Sequence, residues 1–547
     1  MHVRSQAALH PRAVELARQT RAGTLSRREF LAMATALGVS GTAAYGLIGA
    51  TPAAAQERPG RMGGTLRVSM NVMPLDDPRL FDWPDKGNLA RQMLETLVRY
   101  DRDLTFRPML LQRWEANADA TVYMLHLRRD VRWSDGSPFD ARDVAHNIRR
   151  WCERRVPGNS MAARMGTLID PATDTLADGV MQIVDDHTIR LNLPRPDITL
   201  IPGMSDYPAM IVHRSFDGST PLSEATIGTG PYLMTDLRPG RAAVFQKRAA
   251  GDYWGPEVYI DRIEVTDFGT DKTQEVAAFV AGDLDLNDQT QSEFVQQMDE
   301  AGFVRSRVDT AATIVARMNV NHPPYDNRTV RNALQLAVNN AVVLELGHHG
   351  YGMVAENHHV GPMHPEYAQL PPITSNPARA RAMLVQAGHL DTTFELISTD
   401  GDWRTMTSDA IAAQLLDAGI KVKRTIISNS AFARNWTNYP FSTTDWIHRP
   451  LGVQNLALGY RTGEAWNETG YSDPAFDELL NAALAIPQAD RRRLLMAEIE
   501  RTLQASGVII QPYWRSIFTH STSRVRNYGA HPLMEMYLNE TWLAEEA

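Results

Sequence analysis

Apolar positions along this chain switch between two spacings. Residues 63–70 alternate apolar and polar side chains, with β-branched Thr65 and Val68, and predict a strand. Leu89, Met93, Leu94 and Leu97 then recur at helical spacing and predict a helix over 88–98. Residues 123–127 alternate again. Asp135 and Gly136 make a turn, and Asp140 caps a helix running to about Trp151. Residues 183–193, with Asp185 and Asp186 in the middle, read as a hairpin; so do 228–237 and 241–248 around Pro239 and Gly240. Beyond about residue 270 the spacings take turns. Helices are predicted over 271–281, 327–340, 376–387, 405–418 and 474–485, and strands over 263–267, 314–319, 394–398 and 422–427. Helix and strand in turn predict an α/β sheet that holds ligands at strand ends. No fixed-period repeat or low-complexity tract interrupts the pattern.

The first 55 residues stand apart. Arg27 and Arg28 precede Phe30 and Leu31, and a mildly apolar, Ala- and Gly-rich stretch runs to Ala50. The arrangement resembles a twin-arginine export signal, although Ala32 stands where a Lys is usual. Ala53, Ala54 and Ala55 supply the small residues of a cleavage site, expected before Gln56. The alternative is a single membrane anchor, which Gly38, Gly41, Gly46 and Gly49 weaken. Residues 1–25 read as a polar, basic extension without a fold. No other run reaches the length of a membrane span. With no Cys at the end of the signal to carry a lipid, the mature protein is expected in a Gram-negative periplasm.

Composition narrows the possibilities. A chain of 547 residues exceeds what one core supports and predicts more than one domain. Residues 1–55 carry six Arg and two acidic groups; the rest has 49 basic against 62 acidic residues, a net charge of −13. That balance argues against nucleic acid or an anionic membrane as partner. Cys152 is the single cysteine, too few for a disulfide or a cysteine-rich metal site. No nucleophile elbow or zinc-protease motif is visible, and no cofactor is implied. His348, His349, His358, His359 and His364 form a local cluster of imidazoles suited to nickel, zinc or copper, at a spacing that matches no standard site.

Three segments carry a family resemblance. Residues 114–144 run from Trp114 through a strand ending in Leu127 and Arg128 to Trp133, Ser134, Asp135, Gly136, Pro138 and Asp143-Val144. Residues 227–254 open with Ile227-Gly228-Thr229-Gly230-Pro231-Tyr232 and close on Tyr253-Trp254. The glycines there lack the third Gly of a dinucleotide fingerprint and the Lys of a phosphate loop. Further on, Pro323-Pro324-Tyr325-Asp326 leads to Val330, Arg331 and Ala333, and Tyr471-Ser472-Asp473-Pro474 leads to Phe476. In this order they resemble the extracellular solute-binding proteins of ABC importers, peptide/nickel class. The resemblance implies an α/β, two-lobed clamshell with an extra α+β domain on the first lobe. Lobe I would comprise 60–95, 215–310 and 505–547, the extra domain 96–214 and lobe II 311–504, after a signal over 1–55. It implies a monomeric carrier, not an enzyme, that delivers a peptide, amino-acid conjugate or oligosaccharide to an inner-membrane permease. A nickel-chelate carrier is the first alternative; a periplasmic hydrolase and a chaperone-like role are others.

By the same resemblance, ligand contacts are expected at Phe81, Asp82 and Trp83, at Trp403, and at Trp446, His448 and Arg449. Arg449 stands where peptide-binding relatives place an Asp that holds the peptide's ammonium. A guanidinium cannot do that; its fork suits a carboxylate, at about 1.5–3 kcal/mol for a charge-assisted bond. The expected ligand is therefore anionic or zwitterionic.

Overall fold

The computed structural model describes residues 10–50, 62–224, 227–371, 373–400, 403–486 and 489–544. Its largest sheet has twelve strands and runs through both halves of the chain. Tyr232–Arg238, Ala242–Lys247 and Arg262–Thr266 form one end. Thr65–Ser69 follows, parallel to Arg262–Thr266 on one side and to Leu286–Asn287 on the other. The long strand Val304–Met318 joins the two ends: its first half pairs with Tyr513–Ser521 and its second with Phe441–Trp446. Phe394–Thr399 and Val422–Ile427 complete the far side. A separate four-stranded antiparallel sheet, Leu111–Ala116, Val122–Leu127, Thr188–Asn192 and Met181–Asp185, lies within residues 96–214. One core gathers Leu66, Leu94, Trp133 and Ile189; another gathers Ile314, Leu334, Phe394, Ile411 and Phe441.

The recognition segments are scaffold. Asp135 accepts the Ser137 amide, and Gly136, at φ +87°, donates to the Trp133 carbonyl at 2.9 Å. Asp140 caps Ala141–Trp151 with Asp143 closing the capping box, and Trp133 Nε1 donates to Asp143 at 3.1 Å. The second segment locks onto the first, since the Ser134 amide donates to the Gly228 carbonyl at 2.9 Å.

That segment also explains a difference from the sequence reading. The helix expected over 88–98 is instead Pro84–Ala90, followed by turns. The Gly230 amide takes the Met93 carbonyl at 2.8 Å and the Tyr232 amide takes that of Gln92 at 3.1 Å, so the carbonyls are spent on the glycine loop and not on a helix. The helix expected over 327–340 is two, Arg328–Ala337 and Asn340–His348. Helices Gly452–Gly459 and Ala489–Ser506 and strands Phe441–Trp446 and Tyr513–Ser521 were not predicted.

Residues 10–50 are folded, contrary to the loose extension expected over 1–25. Helices α1 (Pro11–Arg21), α2 (Arg27–Ala36) and α3 (Gly41–Leu47) share a small core of Leu16, Phe30, Leu31 and Tyr45. Pro11 and the His10 cap start α1, and the Ser26–Glu29 capping box starts α2. The cleavage site expected at Ala53–Ala55 lies outside the described residues. No helix among the described residues is long and apolar enough to cross a membrane.

Candidate ligand-binding cleft

Two loops meet from distant parts of the chain. On one side Asp77 caps the short helix Pro78–Leu80 and accepts Arg79 at 2.8 Å and Arg150 at 2.5 Å, which pins the loop before Trp83. Pro84 then starts its helix, and Asp82 pairs with Lys86 at 3.0 Å. On the other side the strand Phe441–Trp446 delivers Thr444, Asp445 and Trp446 and runs on to Ile447 and Arg449. Tyr207, Trp436 and Trp466 close the ring.

The walls are aromatic. Trp436, Trp446 and Trp466 meet one another edge to face at 5.9–6.5 Å, and Trp83 lies 6.5 Å from Trp436. Tyr207 stacks on Trp466 at 6.4 Å. The cavity between them is narrow, about 30 Å³, room for a water or two, so any larger ligand must part the walls.

Charges ring this cavity, and nearly all are paired. Arg404 donates to Asp445 at 2.7 and 3.1 Å. Burial pushes Asp445 up, but Arg404 outweighs it and leaves the carboxyl below its usual range. Trp446 Nε1 donates to Glu468 at 2.8 Å, and Glu468 also takes Arg317 at 3.0 Å. Asp206 accepts two guanidiniums: Arg164 at 2.6 Å and Arg449 at 3.1 Å. Burial pushes its pKa up, but the two arginines outweigh burial and hold it at about 2. Two cations on one carboxylate leave a net charge of about +1 against the aromatic wall, where both guanidiniums lie over Trp466, at 4.9 and 5.4 Å. Arg449 Nη1 donates to Asn455 at 3.0 Å; its Nη2 and the Trp83 Nε1 are buried without a partner.

The expected contacts divide. Asp82, Trp83, Trp446 and Arg449 line the cavity. Phe81 does not: it is fully buried and belongs to the core that gathers Leu66 and Trp133. Trp403 is in the other core, 2% exposed, with the Arg515 guanidinium 3.9 Å over its ring. His448 sits behind the wall; its Nδ1 accepts the Ala311 amide at 3.1 Å and its ring stacks on His364 at 5.7 Å. The fork of Arg449 is not open to a carboxylate as expected, because Asp206 and Asn455 occupy two of its nitrogens. Tyr207, Trp436 and Trp466 were missed. Their one signal is aromatic residues in loops, which does not say where the loops meet.

The imidazoles do not converge. His348 stacks on Tyr513, His358 pairs with Glu356 at 2.7 Å, and His359 meets the Tyr460 hydroxyl at 3.0 Å. Among the described residues no group of three or more His, Cys, Asp or Glu could hold a metal. Cys152 is buried, and burial pushes its thiol up to about 12.

The family of Bacterial extracellular solute-binding proteins, family 5 Middle, matches residues 105–468. The chain belongs to this family. Among curated relatives, the probable ABC transporter periplasmic-binding protein SapA of Escherichia coli is 24% identical over 460 residues, covering 77% of this chain and 80% of SapA. Haemophilus influenzae OppA, solved with the peptide RPPGFSPFR, superposes with a TM-score of 0.81 at 18% identity, over 89% of this chain and 100% of OppA. The binding protein AgaA from A. tumefaciens R10, solved with agropinic acid, gives 0.77 at 19% identity, over 88% of this chain and 99% of AgaA. The fold is the two-lobed clamshell of the family-5 binding proteins.

Proposed function

We propose that this family-5 protein is the periplasmic carrier of an ABC importer and that its cargo is a small anionic or zwitterionic molecule with an apolar or ring-shaped body. The lobes would divide as the sequence suggests, with 60–95, 215–310 and 505–547 in lobe I, 96–214 as its extra domain and 311–504 in lobe II. Asp82, Trp83 and Tyr207 then face Trp436, Trp446, Arg449 and Trp466 across the cleft. The observation that carries the cargo class is the uncompensated positive charge of the Arg164–Asp206–Arg449 triad, with Arg449 Nη2 and Trp83 Nε1 as free donors beside indole faces. A carboxylate satisfies both donors and neutralises the charge. The narrow cavity favours compact ligands, because each further atom requires more displacement of the walls. AgaA, with agropinic acid, is a relative in fold with a ligand of this kind. Export by the twin-arginine route and a monomeric state in solution complete the proposal.

Thermal-shift measurements on the protein without residues 1–55 test it, against opine-type acids, dipeptides and neutral oligosaccharides. Saturating ligand at a hundred times Kd adds about 2.7 kcal/mol and a clear shift. Stabilisation by the acids that Arg449→Gln abolishes is the expected result. Stabilisation by neutral sugars alone, or an undiminished response of Arg449→Gln, would overturn the cargo class.

A further inference from the structure

The N-terminal helices are docked on the body, and their seat is made from both halves of it. Ala32, Met33, Ala36 and Leu37 of α2 and its C-terminal cap lie in an apolar groove between Phe106, Tyr123, Ile198 and Pro202 on one side and Leu451 on the other. Polar bonds fasten the same two sides. Towards the extra domain, the Phe106 amide donates to Thr35 Oγ1 at 2.9 Å and Trp114 Nε1 donates to the Ala36 carbonyl at 3.0 Å. Farther along, His10 Nε2 lies 3.2 Å from the Asn117 carbonyl. Towards the second lobe, Arg493 on Ala489–Ser506 donates to Glu29 at 3.0 Å and to the Pro365 carbonyl at 2.7 Å. Gly38 permits the close approach: at φ +89°, an added Cβ would lie 2.6 Å from the Trp114 carbonyl oxygen.

We propose that residues 10–50 are a clasp across the closed clamshell, removable with the leader. The inference rests on the lobe division given above, which places 105–202 with lobe I and 365–493 with lobe II. The seat is complete only when the lobes stand as they do here. Docking of the leader and closure of the lobes therefore stabilise one another, by the reciprocity that binds any two linked equilibria. The clasp also acts on the export motif. Arg27 and Arg28 are exposed, whereas Phe30 and Leu31 are buried at 0% and 3%. The docked leader thus shows its arginine pair and hides the apolar pair, and a receptor that reads the whole motif meets it only after undocking. Loss of the leader removes the clasp, so the mature carrier opens more readily than its precursor.

The test uses the full chain and no cargo. A site for a specific protease is placed within residues 51–61, and the uncut, cut and Gly38→Val proteins are compared. Gly38→Val lies in the leader, so failure to dock does not touch the folding of the body, and Arg493→Ala is a second, milder variant. Hydrogen exchange reads docking at the Phe106 amide, and small-angle scattering reads lobe opening. The expectation is slow exchange at Phe106 in the uncut chain. At least ten-fold faster exchange is expected in Gly38→Val and in the cut protein once the leader is washed away, with a larger radius of gyration in both and an intermediate response in Arg493→Ala. Equal exchange at Phe106 in the uncut and Gly38→Val chains would overturn the docking. Faster exchange with an unchanged radius of gyration would overturn the clasp while leaving the cargo proposal intact.

Discussion

Asp206→Asn probes the charge logic of the cleft most directly. Asp206 is 5% exposed and receives Arg164 through Nε at 2.9 Å and Nη2 at 2.6 Å, and Arg449 through Nε at 3.1 Å. Burial raises its pKa, and the two guanidiniums overcome burial to bring it to about 2 from the ordinary 3.8. At neutral pH that difference corresponds to about 2.4 kcal/mol of folded-state stability. Because the folded pKa is depressed, this stability is fully present above about pH 4 and is lost as the pH falls towards 2. Asn removes it and leaves two buried cations around a neutral amide, a change that costs about 3–5 kcal/mol in comparable buried pairs. Arg449→Gln is different in kind. Asp206 keeps its two bonds from Arg164, so what is lost is one charge-assisted bond to Asp206 and one to Asn455, about 1.5–3 kcal/mol each at most. Relief of a buried guanidinium whose Nη2 has no partner offsets part of that loss. Asp206→Asn, which leaves two buried cations without their carboxylate, is therefore expected to be the costlier of the two. Urea unfolding of both variants from pH 7 to pH 2.5 measures this, with a separate probe on each lobe because a two-lobed chain need not unfold in one step. The gap between wild type and Asp206→Asn should shrink below pH 4. Equal costs for the two variants, or a gap that ignores pH, would refute the triad as the origin of the charge.

Glu95 gives a pH dependence of opposite sign. Burial pushes its carboxyl up to about 7, although Trp254 and Tyr253 donate to it at 2.7 and 2.9 Å. A raised carboxyl pKa contributes stability that is present below about pH 4.5 and lost as the pH rises through 7, so Glu95→Gln should flatten the fall in urea midpoint between pH 5 and pH 8. Gly228→Ala should cost on the order of 3 kcal/mol or more, read as a lower urea midpoint or loss of soluble protein. Its Cβ would stand 2.1 Å from the Met93 carbonyl oxygen, a backbone atom held by the Gly230 amide that cannot move aside.

Local chemistry was legible in the sequence wherever it was also sufficient. Asp140 and Asp143 cap a helix with their own neighbours, and Gly136 turns a loop within four residues; both stand where the spacing put them. The readings that failed are those in which a distant segment decides. Leu89, Met93, Leu94 and Leu97 show helical spacing, but the carbonyls of Gln92 and Met93 in that stretch are claimed by amides more than 130 residues away. Tyr513–Ser521 is buried on both faces, so no alternation marks it as a strand, although it lies near the middle of the sheet. The cleft obeys the same rule. Trp83 and Trp446 were expected in it because the resemblance places ligand contacts in their loops, but Phe81, two residues from Trp83, is taken up by the core. Arg449 was read by analogy as a free fork for a carboxylate. Its occupation by Asp206, 243 positions earlier, is a property of the tertiary fold alone. Under the proposed cargo class, that pairing moves the source of the preference for an anion from one side chain to a triad with one charge to spare, and would tie ligand selectivity to the Asp206–Arg449 contact.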